Sequence, residues 1–417
     1  MTEAVAHRPY AGATSIGGES MPRTLLSGGS VFDADSATVA RADVVLEDGL
    51  VVDVGPGLDG DTEVDVSGKV VLPGLIDAHV HLAFAHLDIG KALHEPFSLR
   101  YFHAAANLRA TLDTGITTVR DAGYTDAGVK QAVEEGLVPG PRVRIAVGMV
   151  SQTGGHADDW LPSGVTEPPS PGIPDTLVDG RDSARRVVRA LVRAGADQIK
   201  VATTGGGLSA HTDPHRSQLR EDELAEIVAE AAASGHYVMA HAHAASGVVA
   251  AVRAGVRSVE HGTLLSEEAV SLMAEHGTYL VPTLSAPFGV LEAAARGVTL
   301  PTGAEEKSRE LIEHHATSFR LALEAGVPIA MGTDAPVWPH GRNLEELERM
   351  AQAGMAPMET WRSASLVAAQ LMRLDQELGS IEPGKRADLV VLDGDPADLS
   401  GLADRVEQVW KDGVRVR

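Results

Sequence analysis

The pattern of apolar and polar positions divides the chain into two β-rich ends and a long middle in which strands alternate with helices. Short apolar segments at 24–66 are separated by turn residues, and Asp48-Gly49 is typical of a hairpin turn. The same pattern returns at 387–416, where Asp412-Gly413 marks another turn. Because chain termini often lie close together, we expect both ends to pair into one small β-sandwich.

The middle of the chain predicts eight strand-then-helix units. Helices are predicted between the strands, for example at 220–234 and 305–325. Such a series favours a TIM-type (β/α)8 barrel, and a doubly wound open sheet is the alternative. The predicted strands are 75–81, 116–121, 143–149, 198–202, 237–243, 258–261, 278–283 and 329–334. The predicted organisation is a flexible tail at 1–21, the amino-terminal portion of the β-sandwich at 22–72, the barrel at 73–378 and the carboxyl-terminal portion of the β-sandwich at 379–417.

Composition narrows the classes of partner and of metal ligand. Lys and Arg number 35 and Asp and Glu number 58, a formal net charge of −23, which argues against nucleic acid and anionic membranes as partners. The chain has no cysteine, so any metal must be held by His, Asp, Glu or a modified side chain. Residues 1–21 lack the apolar core of a signal peptide, and no apolar run is long enough to span a bilayer, so we expect a cytoplasmic protein.

Ionisable residues recur near the carboxyl ends of the predicted strands. His79 and His81 are two apart on one strand, so both point to the same face and can reach one metal ion. Barrel enzymes place catalytic groups at these strand ends, and charged groups are rarely buried without partners. The other residues at such positions are Lys200, His241, His261 and Asp334. The Pro- and Gly-rich segment 151–182 follows the third predicted strand, so it is expected to cover the same face.

These residues make the chain resemble the metal-dependent amidohydrolase superfamily. The matching elements are Pro73 to His81, Lys200, His241, His261, Gly332 to Asp334 and Gly384 to Leu389. More narrowly, the chain resembles the branch near imidazolonepropionase that includes Xaa-Pro dipeptidases, which are prolidase-like, and related amide hydrolases. That finer likeness is carried by the segments 151–156, 200–206 and 237–243.

The resemblance implies a binuclear metal centre. In binuclear members the lysine of the fourth strand is carboxylated and bridges two divalent metal ions, and Lys200 matches it. The resemblance further implies a hydroxide that bridges the ions, with Asp334 as the catalytic residue that passes its proton to the leaving nitrogen. Zinc is expected, although these ligand types also suit Mn²⁺, Fe²⁺ and Co²⁺. The implied ligands are His79, His81 and Asp334 for the first ion, His241 and His261 for the second, and Lys200 for both.

The residues that would bind substrate are less specific. His156 and Tyr237 are candidates for binding a substrate α-carboxylate, and His243 is a candidate for another substrate contact. Each has a purely structural alternative. Arg120-Asp121 is interpreted as an internal ion pair or as part of the substrate pocket. His314-His315 is interpreted as surface, because adjacent residues on a helix do not share a face.

The predicted function is hydrolysis of an amide or peptide bond in a small-molecule or dipeptide substrate. A dipeptidase of Xaa-Pro type, or one acting on another C-terminal residue, is the first interpretation. The alternative is an amidohydrolase acting on a cyclic amide, an N-acyl amino acid or a xenobiotic amide, carbamate or urea, and a remoter one is a non-catalytic relative. Relatives of this kind commonly self-associate, so a homo-oligomer is expected.

Overall fold

The computed structural model describes residues 22–84, 86–161, 163–166 and 170–417. The predicted tail at 1–21 therefore lies outside the described residues. Within these ranges, no helix combines the length and the apolar character that a membrane span requires.

The described residues form strands at both ends of the chain and alternating strands and helices between them. The strands are β1 Thr24–Ser27, β2 Ser30–Asp33, β3 Thr38–Arg41, β4 Asp43–Glu47, β5 Leu50–Gly55, β6 Thr62–Asp65, β7 Lys69–Pro73, β8 Leu75–Val80, β9 Ile116–Asp121, β10 Arg142–Ile145, β11 Met149–Gln152, β12 Leu177–Val178, β13 Ile199–Ala202, β14 Val238–Ala244, β15 Ser258–Leu264, β16 Tyr279–Val281, β17 Leu389–Asp393, β18 Val406–Lys411 and β19 Val414–Arg415. The helices are α1 Ile89–His94, α2 Leu99–Asp113, α3 Ala127–Glu134, α4 Arg181–Arg193, α5 Glu221–Ala233, α6 Ala245–Ala254, α7 Glu267–His276, α8 Ala286–Ala295, α9 Ala304–Glu324, α10 Glu345–Gln352, α11 Pro357–Ser363, α12 Leu366–Leu371 and α13 Leu402–Arg405.

The two ends of the chain build two sheets that share an apolar core. One sheet has the order β5-β4-β1-β6, and the other has the order β19-β18-β17-β7-β2-β3, in which amino- and carboxyl-terminal strands are hydrogen-bonded neighbours. Leu26 and Val44 from the first sheet cluster with Val71, Leu389 and Trp410 from the second. The ends of the chain therefore associate as their shared pattern predicts.

The middle of the chain forms parallel strands in two further sheets. Their orders are β10-β9-β8 and β12-β11-β13-β14-β15-β16. Segment 329–335 lies between β16 and β8: Ala330 N donates to Leu280 O at 2.9 Å, and Asp334 N donates to His79 O at 2.8 Å. The predicted eighth strand thus occupies its expected place, although it pairs through the isolated bridges Leu280↔Ile329 and Val80↔Ala335.

The third predicted strand is divided into β10 and β11. Val147, between them, has a φ of 66°, a left-handed conformation that interrupts a strand. A Cβ on the adjacent Gly148 would lie 2.7 Å from Thr176 Cγ2, so the chain passes close to the loop that follows β11. After this break, β11 pairs in parallel with β12.

Helices pack against the parallel strands with amphipathic faces. In α4 the buried positions are Ala184, Val187, Val188 and Leu191, which are spaced as one helical stripe. Since the strands are parallel, their carboxyl ends lie on one side of the sheets, and the candidate metal ligands of the sequence lie at or near those ends.

Candidate active site

A cavity of about 780 Å³ lies at the carboxyl ends of the parallel strands. Its walls include described residues of the 151–182 segment, and these therefore lie where the sequence predicts. The cavity brings together all but one of the predicted site residues: His79, His81, His156, Lys200, His241, His243, His261 and Asp334.

His79, His81 and Asp334 form the tightest group of possible metal ligands on the cavity floor. Nε2 of His79 lies 3.3 Å from Asp334 Oδ1, and Nε2 of His81 lies 3.2 Å from the same oxygen. One donor atom from each of the three lies within 4.8 Å of the others. Two imidazoles and one carboxylate form a donor set that suits a divalent transition metal.

The Nδ1 atoms of these two histidines each lie within hydrogen-bond distance of an oxygen of the protein. His79 Nδ1 lies 2.7 Å from Glu260 Oε2, and His81 Nδ1 lies 3.1 Å from Gly123 O. Metal-binding histidines usually donate their second nitrogen to a carboxylate or carbonyl, which fixes the ring and directs the first nitrogen to the ion. The arrangement therefore leaves both Nε2 atoms for a metal.

His241 and His261 form a second pair beside the first. Their ring centroids are 4.6 Å apart, and the His261 ring lies 5.0 Å from that of His79. His261 Nδ1 lies 2.8 Å from Thr283 Oγ1, and His241 Nε2 lies 3.2 Å from Gly205 O. Each ring thus keeps one nitrogen for a ligand. Burial lowers the pKa of both well below its usual range, and neighbouring histidines add to the effect, so both are neutral, as metal ligands must be.

Lys200 lies at the centre of this group. Its side chain is buried, and Nζ lies 3.4 Å from His79 Nε2. Burial lowers its pKa to about 8, although Glu260 and Asp334 favour the charged form. A larger fraction of the amine is therefore neutral than in water, and the neutral amine is the form that reacts with CO2.

Asp334 is held in a strained conformation at the junction of these groups. Its φ is 61°, in the left-handed region that costs a non-glycine residue about 1–3 kcal/mol. Burial raises its pKa, but hydrogen bonds with His79 and His81 outweigh that effect and hold the pKa well below the usual range. Gly332 permits the close approach, since a Cβ there would lie 2.4 Å from Val281 Cγ1 and 3.0 Å from His79 N.

His156 and His243 extend the histidine cluster, since their rings stack on those of His241 and His261. The His156 ring stacks on that of His241 at 4.3 Å, and its Nδ1 lies 2.6 Å from Ser209 Oγ. His243 Nδ1 lies 2.8 Å from Thr263 Oγ1. Burial lowers the pKa of each to about 3, so both are neutral at physiological pH and interact with a ligand through hydrogen bonds.

Tyr237 is the predicted site residue that the structure does not bring to the cavity. It precedes β14, and its ring packs against Arg257 and Arg373, whose guanidinium carbons lie 5.8 and 5.5 Å from the ring centroid. Tyr237 does share the strand parity of His241. However, four residues of strand place it roughly 13 Å away along the chain, at the opposite end of the strand. The expectation that Tyr237 binds substrate is therefore corrected.

His315 is a cavity residue that was expected at the surface. Its side chain is buried in α9, and Nε2 lies 3.1 Å from His261 O. The surface prediction rested only on the argument that adjacent helical residues, His314 and His315, do not share a face. The signal that places it inside is the helical stripe, because His315 lies four residues after Leu311 and four before Phe319, both of which are buried.

Glu260 is the main site residue that the sequence did not single out. It pairs with Arg120 in a fully buried salt bridge, Nη2 to Oε1 at 2.9 Å, so Arg120 pairs with Glu260 and not with Asp121. Burial raises the pKa of Glu260, but the Arg120 guanidinium and the His79 hydrogen bond hold it at about 2. Glu260 immediately precedes His261 in β15, and both contact His79, because the left-handed φ of 72° at His261 interrupts the alternation of the strand.

A model of the amidohydrolase family matches residues 70–416 of the chain. The chain belongs to this family. The amidohydrolase assignment confirms the resemblance noted from the motifs, and it supports the α/β fold of TIM-barrel type. Members generally bind a divalent metal, and the His79, His81 and Asp334 donor set fits one.

Named relatives within the family are hydrolases acting on C–N bonds, as this amidohydrolase is. The chain is 31% identical over 419 residues to ochratoxinase of Aspergillus niger, covering 94% of this chain and 86% of the relative. A crystal structure of a Xaa-Pro dipeptidase with methionine bound in its active site superposes with a TM-score of 0.88 at 34% identity, covering 95% of this chain and all of the other. A prolidase complexed with N-methylphosphonate-L-proline gives a TM-score of 0.87 at 36% identity, covering 95% of this chain and 99% of the other.

Proposed function

We propose that this amidohydrolase is a binuclear metal-dependent hydrolase of amide or peptide bonds. The first candidate substrate is a dipeptide of Xaa-Pro type or one with another C-terminal residue. The observation that carries the proposal is the convergence of His79, His81, His241, His261, Lys200 and Asp334 in one cavity.

The donor atoms fit two divalent ions, for which we propose zinc. His79, His81 and Asp334 would hold the first, and His241 and His261 the second. When bound, such ions lower the pKa of a coordinated water and polarise the scissile carbonyl. Lys200 as a cation would repel both ions. Reaction of its neutral amine with CO2 gives a carbamate and releases a proton, which replaces the cation with an anionic oxygen donor.

Asp334 is the proposed proton carrier. Its carboxylate is ionised at neutral pH, because its pKa lies well below the usual range. It can therefore accept the proton of the attacking water at a carboxylate oxygen and pass it to the leaving nitrogen as the C–N bond breaks. This gives a free amine and a carboxylate as products.

His156 and His243 are the proposed substrate contacts. Both rings are neutral and border the histidine cluster, so they are placed to hydrogen-bond a substrate carboxylate or carbonyl. The two solved peptidase relatives support the dipeptide proposal, since one holds an amino acid and the other a proline derivative in its crystal structure.

Hydrolysis of a larger amide is the second candidate function. The cavity of about 780 Å³ lies in the upper part of the range of about 300–1,000 Å³ that holds drug-sized ligands, and apolar side chains such as Phe84, Leu87, Leu208 and Val290 line it. An amide with a bulky apolar or aromatic group would cover these walls. The similarity to ochratoxinase supports this candidate equally well.

A substrate panel distinguishes the two candidates. Zinc-reconstituted protein is incubated with Xaa-Pro and other dipeptides, N-acyl amino acids and aromatic amides, and released amines are measured. Turnover that is lost in Asp334→Asn establishes the hydrolase, and the best substrate names the class. If no member of the panel is turned over by protein that has bound its metal, the amide and peptide proposal is wrong.

We also propose that the two terminal sheets form a β-sandwich domain, with segments 22–72 and 379–417 flanking a barrel at 73–378. Their common apolar core supports this division. The expected homo-oligomer and cytoplasmic location stay predictions.

A further inference from the structure

A second group of possible metal ligands lies at the edge of the cavity lining, which includes His86 and Glu95 but not His103. This rim cluster consists of His86, which follows β8, Glu95 at the end of α1, and His103 in α2. One donor atom from each lies within 4.8 Å of the other two. The proposed hydrolysis uses none of these residues.

The two imidazoles of the rim cluster converge on one carboxylate oxygen. His86 Nε2 lies 2.7 Å from Glu95 Oε2, and His103 Nε2 lies 3.9 Å from the same atom. Tetrahedral zinc with bonds of about 2.0–2.1 Å places neighbouring ligand atoms roughly 3.3 Å apart. The two distances lie on either side of that value, so small side-chain rotations bring the three atoms around one ion.

One donor atom of the cluster lacks a partner. His103 Nε2 is shielded from water and has no hydrogen-bond partner among the described residues, although the His103 side chain as a whole is 35% exposed. Lys91 is a cation beside the cluster, and its Nζ lies 3.5 Å from Glu95 Oε1. That side chain is 55% exposed and can turn toward water, and it leaves Oε2 to the imidazoles.

We propose that the rim cluster binds a zinc ion with three protein ligands and an open coordination position. Two imidazoles and one carboxylate suit Zn²⁺, whereas Mg²⁺ and Ca²⁺ prefer oxygen ligands alone. The bound ion joins both ends of segment 86–95 to α2. Since Ala92 and Leu93 of α1 line the cavity, the ion fixes one wall of the cavity opening.

The experiment counts ions by calorimetric titration of metal-stripped protein with Zn²⁺. Glu95→Gln and His103→Gln are compared with wild type and with His94→Gln, a matched control at an exposed position next to Glu95. We expect each cluster variant to bind one ion fewer, or to bind it more than about tenfold more weakly, since losing even an outer partner of a ligand costs about 10–100-fold. His94→Gln should bind as wild type does.

The comparison is a difference between variants, so it does not depend on how many ions the cavity floor holds. A His79→Gln protein should lose the ion held by His79, His81 and Asp334 but keep the ion of the rim cluster. Failure of the rim-cluster proposal can therefore be told apart from failure of the proposed function. As a second readout, Zn²⁺ should slow amide hydrogen exchange of residues 86–95 in wild type and His94→Gln but not in His103→Gln. Equal ion counts and affinities in Glu95→Gln, His103→Gln and wild type would overturn the rim site, as would unchanged exchange.

Discussion

Replacing Glu260 by Gln should destabilise the protein, because the change leaves a buried arginine without a counter-charge. Glu260 and Arg120 are both fully buried, and Arg120 Nη2 lies 2.9 and 3.0 Å from the two carboxylate oxygens. The only other ionisable side chain that bonds this carboxylate among the described residues is His79, whose Nδ1 lies 2.7 Å from Oε2. Gln keeps the shape and removes the charge.

The size of the loss follows from the geometry. At about 3 Å and an effective dielectric constant of about 20, the ion pair is worth roughly 6 kcal/mol. The Gln oxygen still accepts a hydrogen bond from Arg120, which returns about 1–1.5 kcal/mol. We therefore expect a loss of about 4 kcal/mol, within the range of about 3–5 kcal/mol for breaking a buried pair. With an unfolding entropy of about 2.1 cal/mol/K per residue over the whole chain, Tm falls by about 5 °C.

Thermal unfolding of metal-free protein, followed by circular dichroism, measures this loss without a contribution from bound metal. Glu268→Gln is the matched control, because Glu268 pairs with Arg253 at 3.2 Å with both side chains exposed. Such a surface pair stabilises the protein by about 0–1 kcal/mol, so the Tm of the Glu268→Gln variant should change by about 1 °C or less. The double variant Arg120→Met with Glu260→Gln should recover some of the loss. Equal shifts for Glu260→Gln and Glu268→Gln would refute the reasoning.

Three further changes test the site. Asp334→Asn should lower kcat by about 10²–10⁴-fold while the protein stays folded, because Asn cannot carry the proton; turnover close to wild type would remove Asp334 from the mechanism. Gly206→Ala should lower kcat/KM by at least about tenfold, because the added Cβ would lie 2.1 Å from the His156 ring and displace it. Gly207→Ala is the control: its Cβ would contact Leu311 at an ordinary 3.6 Å, so kcat/KM should not change. Metal-stripped protein should take up zinc more completely with bicarbonate than in CO2-depleted buffer, and Lys200→Ala should not respond to bicarbonate; a response of the variant would place the effect elsewhere.

Local patterns of the sequence were sufficient to predict most of the fold. The predicted strand at 116–121 coincides with β9, and the Asp48-Gly49 turn joins β4 to β5. The candidate metal ligands could be predicted because each lies near the carboxyl end of a parallel strand. Parallel strands place these ends on the same side of the sheet, so the side chains lie close together. This reasoning needs only the period of each strand and the order of the elements.

Features that depend on contacts distant in sequence were not predicted. Arg120 and Glu260 are 140 residues apart, so the pattern pointed instead to the neighbouring Asp121 as the partner. Tyr237 was predicted to lie beside His241 because side chains four residues apart on a strand point to the same face. That alternation does not indicate how far along the strand a side chain lies. The break arises because Val147, a β-branched residue, adopts a left-handed conformation that its own side chain disfavours.

The most direct test of the metallohydrolase account follows turnover and bound zinc together in one preparation. The best substrate of the panel is offered to chelator-stripped protein as zinc is returned stepwise. We expect no turnover without metal, and turnover that rises with occupancy of the floor site in wild type but stays absent in His79→Gln. Turnover by stripped protein that contains no detectable metal, or equal turnover by the His79→Gln protein, would contradict the account.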